Sequence, residues 1–308
     1  MRNFRNAILR SKRGAICSAL CLFVIEKRST FLNLHKAIVL DILSCYNRNA
    51  KEGCRMKYYK ELAELGCFSQ KELVQLLGSG SAAASLAAAY LKKGYVERIR
   101  RDLYATVSME TGQPIPTRYQ IASKLAEDAC ISHHSAFEFY GYANQVFYEV
   151  YVATESRFRS FEYDGVSYRR VAPHGTVQTK LINGARVVSV EQAVIDSIRD
   201  FEKIAGLEET LRCIRLIPSL DPERLLSALV MNGNGFLYQK TGYILEALND
   251  GLHLPDSFFD ECQRHISGSK KYLMREHWQD KLNEKWKLFA PAKLTDLLDK
   301  GVTYHDAV

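Results

Sequence analysis

The sequence predicts an α+β fold, with a small helix-rich module near the N-terminus and a mixed α+β domain after it, in which helices flank a small sheet. Three observations lead to this prediction. Capped helices precede a short alternating hairpin within residues 56–110. Short strands between 147 and 188 surround Asp164-Gly165, a strong hairpin signal. Helical periodicity then fills most of 205–265. We expect one domain at 56–110 and another at 117–308.

The overall composition is that of a globular protein, but the charge is unevenly distributed. Of the 308 residues, 47% are hydrophobic and 25% are charged, and the formal net charge is +7. Residues 1–55 contain 11 Lys and Arg against 3 Asp and Glu, whereas the rest of the chain contains 31 basic and 32 acidic residues. The basic excess therefore belongs to the first 55 residues and says nothing about nucleic-acid binding by the folded domains.

The first 55 residues also differ from the rest in their apolar pattern. The apolar run Ala15–Ile25 follows basic residues as in a signal peptide, but Glu26 comes next and there is no small-residue cleavage site. The run is too short to span a membrane. A well-patterned helix starts at Met56. We therefore expect 1–55 to be a non-native or disordered extension and Met56 to be the native start.

Cysteine usage favours a reducing compartment. Four of the eight cysteines lie in the first 55 residues, and the other four are scattered singly in apolar or helical segments. The latter are Cys67, Cys130, Cys213 and Cys262. A disulfide framework is typical of small secreted scaffolds, so we expect reduced, buried thiols in a cytoplasmic protein.

The N-terminal module contains three predicted helices. The first runs from Met56 to Leu65. Ser69 and Glu72 form a capping box at the start of the second. After a Gly-Ser-Gly turn, an alanine-rich third helix starts near Ser81 and ends at Gly94, a natural C-terminal stop. A short hairpin follows, with its turn at Arg101-Asp102.

This order of elements is typical of a winged helix-turn-helix, a DNA-binding module. Small side chains on the third helix would let its backbone approach a major groove, and arginines on the hairpin suit phosphates or a narrow minor groove. The predicted DNA contacts are Ser79, Ser81, Ser85, Lys92, Arg98, Arg100 and Arg101. Winged modules also bind proteins, and an alanine-rich helix also packs in cores. The net charge of 56–110 is only +2, so that alternative stays open.

The second domain begins after a Pro-containing linker at 113–116. We expect helices at Ile121–Asp128 and from Ser132 to Gly141, and a strand at Phe147–Val152. A short strand at Val187-Val188 leads into a helix that starts at Ser189.

Several segments of this chain, taken in order, resemble a known family. They are Arg100–Ala105, Ile121–Leu125, Ile131–Ala136 with Tyr140-Gly141, Val188–Asp196, Thr241–Glu246 and Ser269–Leu273. Their order and spacing look like the AbiEi-type antitoxins of type IV toxin–antitoxin systems, from about residue 57 to 275. Residues 1–55 have no counterpart in that family, which agrees with a native start at Met56.

The resemblance implies a function for each domain. The winged domain would repress the system's own promoter. Because the charge of the module is modest, we expect two copies to bind double-stranded DNA at an inverted repeat, with self-association on the DNA. The C-terminal domain would act as the antitoxin of a phage-defence system. The partner would be an AbiEii-type nucleotidyltransferase toxin, opposed without a stable complex. The motif residues that the resemblance indicates in the antitoxin domain are Ser132, Ser135, Glu191 and Asp196. It implies a cytoplasmic protein that is not an enzyme and has no cofactor, metal or membrane partner.

Two other function classes remain as alternatives. One is a DNA-binding regulator unrelated to a toxin. The other is a metal-dependent nuclease that uses Asp164, Glu191 and Asp196, although first-turn dipole stabilisation explains Glu191 equally well. Adjacent His133 and His134 diverge on a helix and make a poor chelate. Cys262 and His265 have zinc-like spacing without a second pair, so we predict no metal site.

Overall fold

A computed structural model describes residues 56–175, 177–232, 234–275 and 280–299. The extension expected at 1–55 lies outside these described residues. The chain divides into two compact units, Met1–Lys60 and Glu61–Val308, and the domain boundary predicted between 110 and 117 lies inside the second unit. Within the described ranges, no single helix is long and apolar enough to cross a membrane, although one sharply bent pair passes the same test when its helices are combined.

The described chain is a mixed α+β structure with helices and small sheets, as predicted for the fold class. Its helices are α1 (Tyr59–Leu65), α2 (Gln70–Leu77), α3 (Gly80–Lys93), α4 (Arg118–Ser123), α5 (His133–Tyr140), α6 (Val190–Asp200), α7 (Gly206–Arg215), α8 (Pro222–Asn232), α9 (Gly235–Ala247), α10 (Asn249–Leu252), α11 (Asp256–Arg264) and α12 (Thr295–Asp299). Its strands are β1 (Cys67–Ser69), β2 (Val96–Arg100), β3 (Leu103–Thr106), β4 (Cys130–Ile131), β5 (Glu149–Ala153), β6 (Phe161–Tyr163), β7 (Val166–Val171), β8 (Thr179–Ile182), β9 (Ala185–Val188), β10 (Lys271–Tyr272), β11 (Lys281–Asn283) and β12 (Leu288–Ala290).

Local signals shape the N-terminal module, defined here as α1 to β3. The predicted capping box is confirmed, because Ser69 accepts the backbone N–H of Glu72 and the Glu72 carboxylate accepts the N–H of Ser69. Gly78 adopts a left-handed φ of 70°, which ends α2, and Ser79 caps α3. The chain direction changes by 116° between α2 and α3. Strand β1, which the sequence analysis missed, joins the hairpin in an antiparallel sheet of order β1-β3-β2.

The central sheet has six strands in the order β6-β7-β5-β4-β9-β8 and contains both parallel and antiparallel pairs. The hairpin predicted at Asp164-Gly165 is confirmed. Its two residues have φ values of 51° and 70°, as a two-residue turn with positive φ at both positions requires. The sheet is larger than the sequence predicted because both β4 and β8 were missed; β4 is only two residues long, and such a short strand leaves no periodic pattern.

The helix predicted at Ile121–Asp128 begins earlier and is shorter, Arg118–Ser123. Thr117 and Gln120 form a capping box at its start. Asp128 lies beyond the helix. There its carboxylate accepts the hydroxyl of Thr154 at 2.6 Å and the backbone N–H of Glu155 at 2.6 Å. These bonds fix the turn that leads into β4.

The C-terminal helices pack around Trp286, which is fully buried. Its indole Nε1 donates to Oε2 of Glu246 at 2.7 Å, so the ring is held in place. Gly242 on α9 faces this ring at close range. A Cβ at position 242 would lie 2.1 Å from the indole, whereas a Cβ at Gly251 on α10 would meet nothing within 4 Å.

We expect Gly242→Ala to lower the free energy of unfolding by about 3 kcal/mol, because overpacking against a fixed ring forces neighbouring groups to move. Gly251→Ala is the matched control and should be neutral or slightly stabilising, since alanine favours a helix. Urea unfolding of both variants measures the effect. Equal stabilities for the two variants would contradict the packing described for Trp286.

Candidate functional site

The first candidate surface is the exposed face of α3. Ser81, Ser85 and Lys92 are exposed and share one side of this helix. The exposed residues between them are mostly alanines, so this face carries few long or polar side chains before Lys92. Ser79 has a structural role as well, because its Oγ accepts the N–H of Ala82 at 3.4 Å and lies 3.0 Å from Oγ of Ser81.

Two arginines of the β2–β3 hairpin lie in solvent close to the turn between these strands. Arg98 is exposed, and the side chain of Arg101 is 91% exposed. Asp102 has a left-handed φ of 60° and lies 3.5 Å from Nε of Arg101. A surface ion pair of this kind is weak, so the guanidinium of Arg101 remains available to a ligand.

Arg100 lies elsewhere than the sequence analysis expected. Its Nη2 donates to the backbone carbonyl of Leu125 at 2.7 Å, and its guanidinium lies 5.5 Å and 5.9 Å from the ring centroids of Phe158 and Phe161. Arg100 was predicted to contact DNA together with Arg98, but the strand register shifts between the two residues, and such an irregularity changes the direction of a side chain. Arg100 therefore joins the module to the rest of the unit.

Other contacts fix the N-terminal module in the same orientation. Sγ of Cys67 donates to the carbonyl of Gln120, and burial raises the pKa of this thiol to about 12. Lys124 lies 2.5 Å from the carboxylate of Glu72. The linker predicted at 113–116 is ordered too, because the N–H of Ile115 bonds to the carbonyl of Thr106. With this side of the module occupied, the α3 face and the tip of the hairpin remain in solvent.

Two arginines near the hairpin were missing from the sequence analysis. Arg157 and Arg159 are exposed and flank Phe158, the ring that Arg100 covers. Their position extends the basic surface beyond the module. The signal that could have found them is an aromatic residue between two arginines, a pattern common in nucleic-acid-binding segments.

The serines of the motif in the second domain are buried and hold secondary structure together. Ser132 is fully buried, and its Oγ lies 2.9 Å from Nδ1 of His133. Oγ of Ser135 accepts the N–H of Tyr151 at 3.0 Å and donates to the carbonyl of Glu149. These bonds attach α5 to strand β5.

The motif's two carboxylates lie on α6 and are also buried. Glu191 accepts the backbone N–H of Asp221 at 3.4 Å. Oδ1 of Asp196 accepts Nε2 of Gln192 at 3.0 Å and lies 3.0 Å from Nη1 of Arg199. Both carboxylates are therefore engaged within the fold, and the third carboxylate of the nuclease alternative, Asp164, lies at the β6–β7 turn.

His133 points toward α6. It has a left-handed φ of 53°, which is uncommon for a residue with a side chain and carries a strain of about 1–3 kcal/mol. Its Nε2 lies 3.5 Å from Oδ2 of Asp200, which also accepts Nε of Arg199 at 2.8 Å. Burial opposes ionisation of Asp200, but His133 and Arg199 outweigh it and hold the pKa of that carboxyl well below its usual range.

His134 points the other way, into a second cluster between α5 and α7. Its Nδ1 lies 3.0 Å from Oε1 of Glu138, and its Nε2 lies 3.1 Å from Oε1 of Glu209. Cys213, one turn after Glu209, donates its thiol to the same oxygen at 3.4 Å. Arg118 forms an ion pair with Glu138 on the far side. We call these five residues the His134 cluster.

Three members of the His134 cluster, Arg118, Glu138 and Glu209, were not predicted from the sequence, and Cys213 was predicted only as a buried thiol. The available signal was the repeated four-residue spacing, His134 to Glu138 on α5 and Glu209 to Cys213 on α7, which puts each pair on one helix face. A search of protein-family models found no match to this chain, and a search of curated proteins found none either.

We expect Asp200→Asn to lower the free energy of unfolding at pH 7 by about 2 kcal/mol, because hydrogen bonds to charged groups contribute about 1.5–3 kcal/mol. The depressed pKa of Asp200 means that its contribution is complete above the unfolded value, about 4, and is lost as the pH falls below it. Urea unfolding between pH 7 and pH 3 should show the wild type and variant converging in acid. Asp250→Asn, an exposed carboxylate on α10, is the control and should change little. A gap that stays constant with pH would contradict this assignment.

Proposed function

We propose that this chain is a DNA-binding regulator that reads DNA with a winged helix-turn-helix at 59–106. The observation that carries the proposal is the arrangement of α2 and α3, which differ in direction by 116° across a Gly78-Ser79 turn. Helix-turn-helix pairs cross at about 90–120°. The sheet β1-β3-β2 after these helices provides the wing.

The exposed face of α3 suits a recognition helix. A 14-residue helix is about 21 Å long, and a major groove about 12 Å wide admits a helix. Because the exposed positions before Lys92 are small, the helix backbone can approach the base edges closely. Ser81 and Ser85 can donate to phosphates or bases, and Lys92 can reach the phosphate backbone.

The modest charge of the module favours binding of two copies of the chain to the DNA. Its net charge is modest, so one copy supplies few phosphate contacts, mainly Arg98 and Arg101 on the wing with Arg157 and Arg159 beside them. Two copies on an inverted repeat would double these contacts. Arg100 is removed from the proposed interface, because its guanidinium is committed to the carbonyl of Leu125.

On the resemblance to AbiEi-type antitoxins, we further propose that the DNA is the chain's own promoter and that the C-terminal region opposes an AbiEii-type nucleotidyltransferase toxin in the cytoplasm, without a stable complex. The burial of Ser132, Ser135, Glu191 and Asp196 supports a structural role for that motif. Any surface that acts against the toxin is then formed by other residues of the C-terminal region.

Replacing both wing arginines (R98A/R101A) should weaken promoter binding by about tenfold to a hundredfold, which corresponds to about 1.4–2.8 kcal/mol. The slope of log K against log salt should fall by about 2 for each bound copy, because each lost phosphate contact removes about one counterion. Fluorescence anisotropy with the DNA upstream of the gene measures both quantities. Ala88→Glu, which puts a bulky charge on the exposed α3 face, should abolish specific binding.

The control for the wing variant is R215A/R264A, which removes two exposed arginines from the C-terminal helices. It should keep the wild-type affinity and salt slope. An unchanged slope in R98A/R101A would rule out the wing contacts, and full binding by Ala88→Glu would rule out α3 as the recognition helix.

Co-expression of this chain with an AbiEii-type nucleotidyltransferase should restore the growth that the toxin arrests, and R98A/R101A expressed from an unrelated promoter should restore it equally, because that variant leaves the C-terminal region intact. Growth curves and a pull-down measure rescue and the expected lack of a stable complex. If the chain binds the promoter but does not restore growth, the result supports the alternative of a DNA-binding regulator unrelated to a toxin. Mg²⁺-dependent DNA cleavage that is lost in Asp196→Ala would identify a nuclease instead.

A further inference from the structure

The His134 cluster offers three metal-ligand atoms at close range in the interior. Nε2 of His134, a carboxylate oxygen of Glu209 and Sγ of Cys213 all lie within 4.8 Å of one another, and all three residues are buried. Imidazole, thiolate and carboxylate together are a ligand set typical of Zn²⁺, whereas Ca²⁺ and Mg²⁺ prefer oxygen alone. We propose that these three residues bind one Zn²⁺ that ties α5 to α7, a property independent of the DNA-binding function.

The distances agree with a tetrahedral zinc shell. Zinc–nitrogen, zinc–oxygen and zinc–sulfur bonds of about 2.0, 2.1 and 2.3 Å put the nitrogen and oxygen about 3.4 Å apart and the sulfur and oxygen about 3.6 Å apart. The corresponding separations are 3.1 Å from His134 to Glu209 and 3.4 Å from Cys213 to Glu209. A movement of about 0.3 Å therefore opens the cluster enough for the ion.

An unsatisfied atom supplies an independent observation. Oε2 of Glu209 is buried, and within the described part of the chain no hydrogen-bond partner reaches it. Leaving a buried carboxylate oxygen unpaired is costly, so such an atom requires an explanation. A Zn²⁺ bound through Oε1 would lie beside this second oxygen and compensate its charge, and the fourth tetrahedral position would be left to a water molecule.

A carboxylate lies beside His134, as in many zinc sites. Nδ1 of His134 lies 3.0 Å from Oε1 of Glu138 without the alignment of a hydrogen bond, so a small rotation of the ring would give the carboxylate–histidine arrangement that orients a zinc ligand. The ring of Phe147 stacks on the imidazole with centroids 3.9 Å apart. The N–H of Phe147 also bonds to Oε1 of Glu138, so the second shell is itself anchored.

The carboxylates of the cluster suit a buried cation. Zn²⁺ binds an unprotonated imidazole nitrogen and a thiolate, so the thiol proton of Cys213 passes to solvent when the ion binds. Glu209 and the Cys213 thiolate then supply two negative charges against the two positive charges of Zn²⁺, while Arg118 pairs with Glu138.

The test uses the full-length chain with Cys17, Cys21, Cys45 and Cys54 replaced by Ser, because those thiols could bind metal separately. After removal of metal with a chelator, Co²⁺ is titrated as a spectroscopic substitute for Zn²⁺. We expect one equivalent to bind, with a sulfur-to-cobalt charge-transfer band in the near ultraviolet. Addition of Zn²⁺ should displace the Co²⁺ and raise the thermal midpoint. A parent chain that gives no such band overturns the proposal.

The variants assign the ligands. Cys213→Ser should remove the charge-transfer band, whereas Cys262→Ser, which changes a matched buried thiol on α11, should retain it. Survival of the band in Cys213→Ser, or its loss in Cys262→Ser, overturns the assignment. If circular dichroism shows that Cys213→Ser does not fold, the Glu138→Gln variant tests the site instead, since it keeps all three proposed ligands. We expect Glu138→Gln to weaken Co²⁺ binding about 10- to 100-fold, and unchanged affinity counts against the site.

Discussion

The start of α5 buries two neighbouring histidines, His133 and His134, among ionisable groups of α5, α6 and α7. An ionised group removed from water costs several kcal/mol unless a partner neutralises it in place. Adjacent residues on a helix do not face each other, so the two rings meet different carboxylates. Pairing on both sides ties α5 to α6 through Asp200 and to α7 through Glu209. The packing of these three helices depends on giving each buried carboxylate a polar partner.

The same principle fixes the N-terminal module. The guanidinium of Arg100 points away from the hairpin surface. It donates a hydrogen bond to the carbonyl of Leu125 and lies over the rings of two phenylalanines. Cys67 is buried against α4, so the sheet of the module shares a core with the rest of the unit. One side of the module is consequently occupied, and the face of α3 with Ser81 and Ser85 is the side left for a ligand.

Features that depend on neighbouring residues could be predicted from the sequence. The capping box of Ser69 and Glu72 joins residues three apart, and the Asp164-Gly165 turn needs only a local positive φ. Strands β1 and β4 could not be predicted, because each is two or three residues long and forms only when a distant partner supplies its hydrogen bonds. The module's three helices and its hairpin were therefore predictable, whereas β1 and the six-stranded sheet were not.

The candidate site divides in the same way. Helix periodicity alone puts Ser81, Ser85 and Lys92 on one face, and the sequence determined that face. The position of Arg100 depends on a register shift in β2, which no residue pattern in the sequence predicts. The meeting of His134, Glu209 and Cys213 was decided only by the tertiary structure. Each helix specifies its own four-residue spacing, but charges and ligand atoms interact over a few ångströms, so packing selects which carboxylate faces which histidine.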